Sequence, residues 1–252
     1  MRYHPSDAEN GDMTAWVQYV HEATAALAQN PALTALTITN EVNFPTSPNT
    51  SDGAYKNALE ARVLGIEAAH TELTALGRGD VSLGFSYAYR YLPSSDEQFW
   101  KGIAQRATPA FRQALDYVGV QLYPGLVYPP VLPPGQTPAT RRSKRLPWFA
   151  TAICRSADWA ITSSCGSRKT ATPPTSDTPR HSRRRTSRAR WTIVYRYSST
   201  FGVTDYRYFN LRDNVPDGTD LFDDVGLLRS DYTQKPAFST YRNAIATYGT
   251  AG

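Results

Sequence analysis

Cysteine is nearly absent: Cys154 and Cys165 are the only two in 252 residues, too few to argue a disulfide framework. Histidine is scarce as well, and His4, His21, His70 and His181 show no ligand spacing, so a metal mechanism has no support. No apolar run approaches the roughly 20 residues needed to span a bilayer. The start, Met1-Arg2-Tyr3-His4-Pro5, lacks the apolar stretch of a signal peptide. A membrane, a metal and a cofactor are therefore not expected, and the localisation stays open.

Acidic residues are missing from one place in particular. The chain carries +5 overall, yet residues 140–191 hold 13 basic and 2 acidic side chains, against 14 and 20 elsewhere. The chain is an acidic protein with a basic insert. What is abundant is aromatic: 16 Tyr, 9 Phe and 5 Trp suit stacking on sugars, but they fill ordinary cores equally well.

Outside the insert the elements alternate. Trp16, Val17, Tyr19, Val20, Ala23 and Leu27 recur at helical spacing over 12–29, and Asn30-Pro31 closes that helix. Leu33 to Thr39 reads as a strand. Ser51-Asp52 opens a long helix to about Leu76, and Gly77-Arg78-Gly79 ends it. Val81 to Tyr87 is the next strand, with Leu83, Phe85 and Tyr87 on one face. Ser94-Ser95-Asp96 caps a helix over about 97–106, and Tyr117 to Tyr123 is a third strand. After the insert, 192–197 ends a helix, Val203 to Asn210 is an aromatic strand, and Pro236 to Ala246 is a closing helix. Strands alternating with helices at this pitch predict a parallel sheet with helical crossovers.

The segment richest in chemistry is Leu36-Thr37-Ile38-Thr39-Asn40-Glu41, a strand that ends in an Asn-Glu pair. Glu41 at a strand exit could be an ordinary solvated glutamate; a barrel enzyme keeps its catalytic carboxylates at that same lip. Four segments favour the enzyme. Thr39-Asn40-Glu41, Tyr87-Ala88-Tyr89-Arg90, Gln121-Leu122-Tyr123 and the closing Gly226-Leu227-Leu228-Arg229 with Lys235-Pro236-Ala237-Phe238 and Tyr241 occur in order. In these the chain resembles the retaining glycoside hydrolases of the (β/α)8-barrel clan that includes cellulase-like enzymes.

The resemblance implies a single α/β domain over 1–252, a TIM barrel with parallel strands acting on a β-linked saccharide. Glu41 would be the general acid/base, after the fourth strand, and Asn40 a partner of the sugar 2-hydroxyl. Tyr87, Tyr123 and Asn210 would line the substrate site. Tyr123 would orient the nucleophile, or else is a core tyrosine at the barrel lip. Two carboxyl groups about 5–5.5 Å apart would cleave with retention, and burial together with the neighbouring carboxylate would keep the acid protonated near neutral pH.

Two departures stand out. Met1 falls near the end of what would be the third strand, so the barrel is expected to be incomplete, lacking its first strands. The seventh strand and its nucleophilic glutamate are not recognisable, and the irregular basic segment stands in their place.

That segment reads as the right gene in the wrong frame. Ser164-Cys-Gly-Ser-Arg-Lys-Thr-Ala-Thr-Pro173 is encoded by TCG TGC GGA TCA CGG AAA ACG GCT ACC CCC among its permitted codons. Starting from the third base gives Val-Arg-Ile-Thr-Glu-Asn-Gly-Tyr-Pro, a strand ending in the Thr-Glu-Asn-Gly that this clan carries at its nucleophile. The same shift turns His181 to Trp191 into Gln-Ser-Ala-Ala-Asp-Leu-Gln-Gly-Gln-Val, the start of an amphipathic helix. The nucleophile's codon then straddles Arg168 and Lys169, and no glutamate is made. A disordered basic loop and a basic nucleic-acid patch over 141–190 compete with this reading, but for the patch Trp148, Phe149 and Trp159 interleave too sparsely. A pseudoenzyme that binds carbohydrate without cleaving it is the other alternative.

Overall fold

The computed structural model describes residues 1–45, 48–88, 93–121, 207–215 and 223–249. They fall in two compact units, one holding the described residues up to Gln121 and the other those from 207 onward.

In the first unit three strands, β1 (Ala35–Thr37), β2 (Ser82–Ala88) and β3 (Tyr117–Gln121), form a sheet in the order β1-β2-β3. Both pairings are parallel, with Leu36 opposite Leu83 and Phe85 opposite Val118. Helices α1 (Met13–Ala28), α2 (Ala58–Ala75), α3 (Pro93–Arg106) and α4 (Pro109–Ala114) supply the crossovers. Asp12 caps α1 by accepting from the amides of Thr14 and Ala15. Trp16, Val20, Thr24 and Ala28 recur every fourth residue, and all four are buried.

Alternation along the strands divides the sheet into two faces. Ile38 lies under Gly65 of α2, where a Cβ would come within 2.9 Å of its Cγ2. Phe85 and Tyr87 likewise face helices: Arg62 of α2 sits 4.5 Å above the Phe85 ring, and Tyr87 packs on Phe99 and Trp100 of α3. The other face carries Thr37, Gly84, Ser86, Tyr117 and Gln121.

Gly84 is required on that face. Tyr117 leans across it to donate to the Leu36 carbonyl at 2.7 Å and to meet Thr37 Oγ1 at 2.8 Å. A Cβ on Gly84 would sit 2.4 Å from the Tyr117 carbonyl oxygen and 2.5 Å from its ring. Backbone cannot step aside here, so Gly84→Ala is expected to cost about 3 kcal/mol. Its urea midpoint should fall with an unchanged slope.

Three local expectations need correction. The helix expected from Ser51 begins only at Ala58: Ser51 Oγ accepts from Gly53 to shape one 3-10 turn, and Asn57 at φ 58° interrupts the chain. α3 starts earlier than Glu97, with Pro93 as its first residue. α4 was not foreseen; Thr108 caps it by accepting from the Phe111 amide at 3.0 Å, and Phe111 is fully buried.

In the second unit α5 (Pro236–Tyr248) matches the expected closing helix. The described end of the strand expected over Val203–Asn210 is not strand. Just beyond it Arg212 bridges Leu228 in parallel, and Leu228 bridges Gln234 antiparallel. Lys235 clasps this turn, its Nζ 2.6 Å from Asp213 and 2.5 Å from Asp224. Tyr123, the helix end at 192–197 and the whole insert 140–191 lie outside the described residues.

Candidate functional site

β1 ends at Thr37, and the Ile38 amide still donates to the Gly84 carbonyl at 2.7 Å. The chain then turns sharply, with Thr39 at φ 65° and Glu41 at φ 50°. Each left-handed non-glycine residue costs about 1–3 kcal/mol and persists only where the surroundings over-determine it. Here they do. The Asn40 amide donates to Asp52 Oδ2 at 2.7 Å, the Glu41 amide to Ser86 Oγ at 3.0 Å, and Ser51 Oγ donates to the Glu41 carbonyl at 2.6 Å.

The Asn40 carboxamide is fixed at both ends. Its Oδ1 accepts from Ser86 Oγ at 3.0 Å and from Gln121 Nε2 at 2.8 Å, while its Nδ2 donates to the Thr50 carbonyl at 2.6 Å. Because a carbonyl can only accept, the Thr50 contact identifies the nitrogen end. With Oδ1 doubly engaged, the Asn40 side chain has one N–H to offer and no acceptor, so toward any ligand it acts only as a donor. Ser86 lies near the end of β2 and Gln121 ends β3, both beside Asn40, and sequence reasoning gave neither a role. A serine inside an otherwise apolar strand was the available signal.

Asp52 anchors the turn from behind. It is fully buried and accepts from the amides of Tyr3 and Asn40 and from Arg2 Nε at 3.0 Å. Burial raises its pKa, outweighing the amide and Arg2 hydrogen bonds that favour the charged form. The native chain thus keeps a proton on Asp52 at pH values where the unfolded chain has lost it. Its contribution to stability falls as pH rises through that window.

Glu41 itself is half-buried at the C-terminal side of the parallel sheet, next to Asn40. Tyr87 does not join them. It is 0 % exposed on the helix-facing side, and its hydroxyl donates to Asp96. The expectation that Tyr87 contacts substrate does not fit this placement. Its period-2 partnership with Leu83 and Phe85 already put it on the apolar face. Asn210 belongs to the second unit, where its carbonyl accepts from Leu227 at 3.0 Å and its Oδ1 from the Leu211 amide at 2.7 Å. Asp213, in the same unit, is held by Lys235 and by the Gly226 amide at 2.8 Å. A groove of about 410 Å³ lies elsewhere in the first unit, against α1, and is lined by Arg2, Tyr3, His4, Trp16 and Tyr19 among others.

A strand exit of this kind at the C-terminal end of parallel strands is where barrel enzymes carry their sites, and solved structures agree on the fold. The β-glycosidase of the hyperthermophile Thermosphaera aggregans superposes with a TM-score of 0.62 at 12% identity, over 96% of this chain and 61% of its own. Xylanase B of Clostridium stercorarium F9 gives 0.57 at 13%, over 94% and 69%. The fold is like that of the TIM-barrel glycoside hydrolases. The β-glucuronidase of Ruminococcus gnavus gives 0.57 at 12%, over 92% of this chain and 35% of that one. The chain thus spans from about a third to about two thirds of the length of these three proteins. No family model matches the sequence, and no curated protein matches it.

Proposed function

We propose that this chain derives from a retaining glycoside hydrolase acting on a β-linked saccharide, with Glu41 as the general acid/base and Asn40 as a donor to the sugar. The observation that carries this reading is the strand exit itself: Asn40 pinned by Ser86, Gln121, Thr50 and Asp52, with Glu41 beside it at the C-terminal end of a parallel sheet. Two left-handed residues held in place by so many contacts support that reading, because strained backbone clusters at functional sites.

As it stands the chain does not turn over substrate. Retention needs a second carboxyl group about 5–5.5 Å from the first, and the clan's nucleophile motif appears only when 164–173 is read in the shifted frame. The shift is part of this proposal. So is the single barrel domain over 1–252. Any remaining capacity is sugar binding through Asn40.

The test is an assay of the purified chain with 4-nitrophenyl β-glucoside, β-xyloside and β-glucuronide. Nitrophenol release should stay at the buffer rate, and Glu41→Gln should change nothing. Release that Glu41→Gln abolishes would sink the inactive reading.

A further inference from the structure

Asp52 stands where the sequence suggested only a helix cap. Its two carboxylate oxygens gather three donors from separate parts of the chain: Arg2 Nε, the Tyr3 amide and the Asn40 amide. Arg2 is held in turn by the carbonyls of Pro48 and Asn49, at 3.3 and 3.0 Å. Ser51, the preceding residue, grips the carbonyls of Glu41 and Phe44. Ser51 and Asp52 are both 0 % exposed. Together they close the 40–52 loop back onto the strand exit and oppose the strain at Thr39 and Glu41. A buried carboxylate this well supplied with donors is over-built for starting one 3-10 turn, because its own turn uses neither oxygen.

We infer that Asp52 is a positioning residue: by holding the Asn40 amide it fixes the Asn40–Glu41 turn, and so sets the site's affinity for a sugar that it never touches. The affinity part rests on reading Asn40–Glu41 as a saccharide site. An acceptor with Asp52's geometry is what the turn needs. Asparagine in its place keeps one carbonyl oxygen but turns the other arm into a donor: in the place of Oδ2 that donor faces both the Asn40 and the Tyr3 N–H, and in the place of Oδ1 it faces Arg2 Nε while the two amides are left with an uncharged acceptor. The left-handed residues then relax toward ordinary backbone, and the free N–H of Asn40 swings away from its place.

Two measurements on the full 252-residue chain and its Asp52→Asn variant test this. In amide hydrogen exchange, the Asn40 and Glu41 amides should exchange about tenfold faster in the variant, the loss of one charge-assisted hydrogen bond, while ladder amides from Gly84 to Val120 stay as they were. In NMR titration with cellobiose and with xylobiose, read on the Asn40 carboxamide, the variant should bind about tenfold more weakly, following the same lost contact. Arg2→Gln, which leaves both amide contacts intact, should move both readouts the same way by less, and it decides the matter if Asp52→Asn fails to fold. Unchanged Asn40 exchange, or acceleration of all amides together, would overturn the positioning role. If the unaltered chain binds neither sugar, the saccharide reading and the affinity part fall, and exchange alone decides whether Asp52 holds the turn.

Discussion

A chain with the frame restored across 140–191 and carried in a complete (β/α)8 barrel is expected to hydrolyse aryl β-glycosides that the present chain leaves intact. The gain should be large because retention is a two-carboxylate mechanism, and a single group cannot both form and resolve a glycosyl-enzyme. In that restored protein Glu41→Gln should lower kcat on substrates with poor leaving groups by about 10³-fold, the usual worth of general acid–base catalysis. The leaving group supplies a sharper diagnostic. A dinitrophenolate departs without a proton, so with that aglycone the variant should still form the covalent intermediate and then stall, since no base activates water. Azide needs no base, and adding it should restore turnover and yield the β-glycosyl azide. A variant as active as its parent, or one that azide does not rescue, would remove Glu41 from the acid/base role.

The second large effect concerns the other unit. Lys235 Nζ lies within 2.7 Å of both Asp213 and Asp224, and the side chains of Lys235 and Asp213 are only 17% and 9% exposed. Lys235→Met removes the cation but leaves the Asp213 carboxylate buried against the Gly226 amide. Breaking a buried pair on one side costs about 3–5 kcal/mol, so hydrogen-exchange protection of α5 should collapse. The double variant Lys235→Met with Asp213→Asn should recover much of the loss, because no lone charge is left inside. Equal losses in the single and double variants would mean that the lysine acts through packing alone.

Much of the first unit was legible because its physics is periodic. Trp16, Val20 and the rest of the α1 stripe announce themselves every fourth residue, and Leu83, Phe85 and Tyr87 every second. The parallel order followed from helices between strands. The places that resisted are those where one contact overrides the local pattern. Asp52 looks like a helix cap until Tyr3 and Asn40 are seen to converge on it. Asn57 is of a type that tolerates the left-handed region, but nothing beside it in the sequence says that the helix waits for it. Ser86 and Gln121 matter only because parallel pairing brings them to Asn40 from strands far apart in sequence. The strand exit at Asn40 and Glu41 was legible because an Asn-Glu pair closing an alternating strand is a local pattern. Tyr87 is near a strand end as well, but its alternation with Leu83 and Phe85 sets it on the helix-facing side.

Tyr117 has a consequence for the face it covers. Its ring crosses the β2 backbone where Gly84 leaves a gap, and its hydroxyl ties off Leu36 and Thr37 on the far strand. That half of the inner face is thereby stoppered by a side chain of its own, while Asn40, Ser86 and Gln121 stand at the opposite lip. Among the described residues this face is therefore asymmetric, closed by packing where Tyr117 lies and polar where Asn40, Ser86 and Gln121 lie.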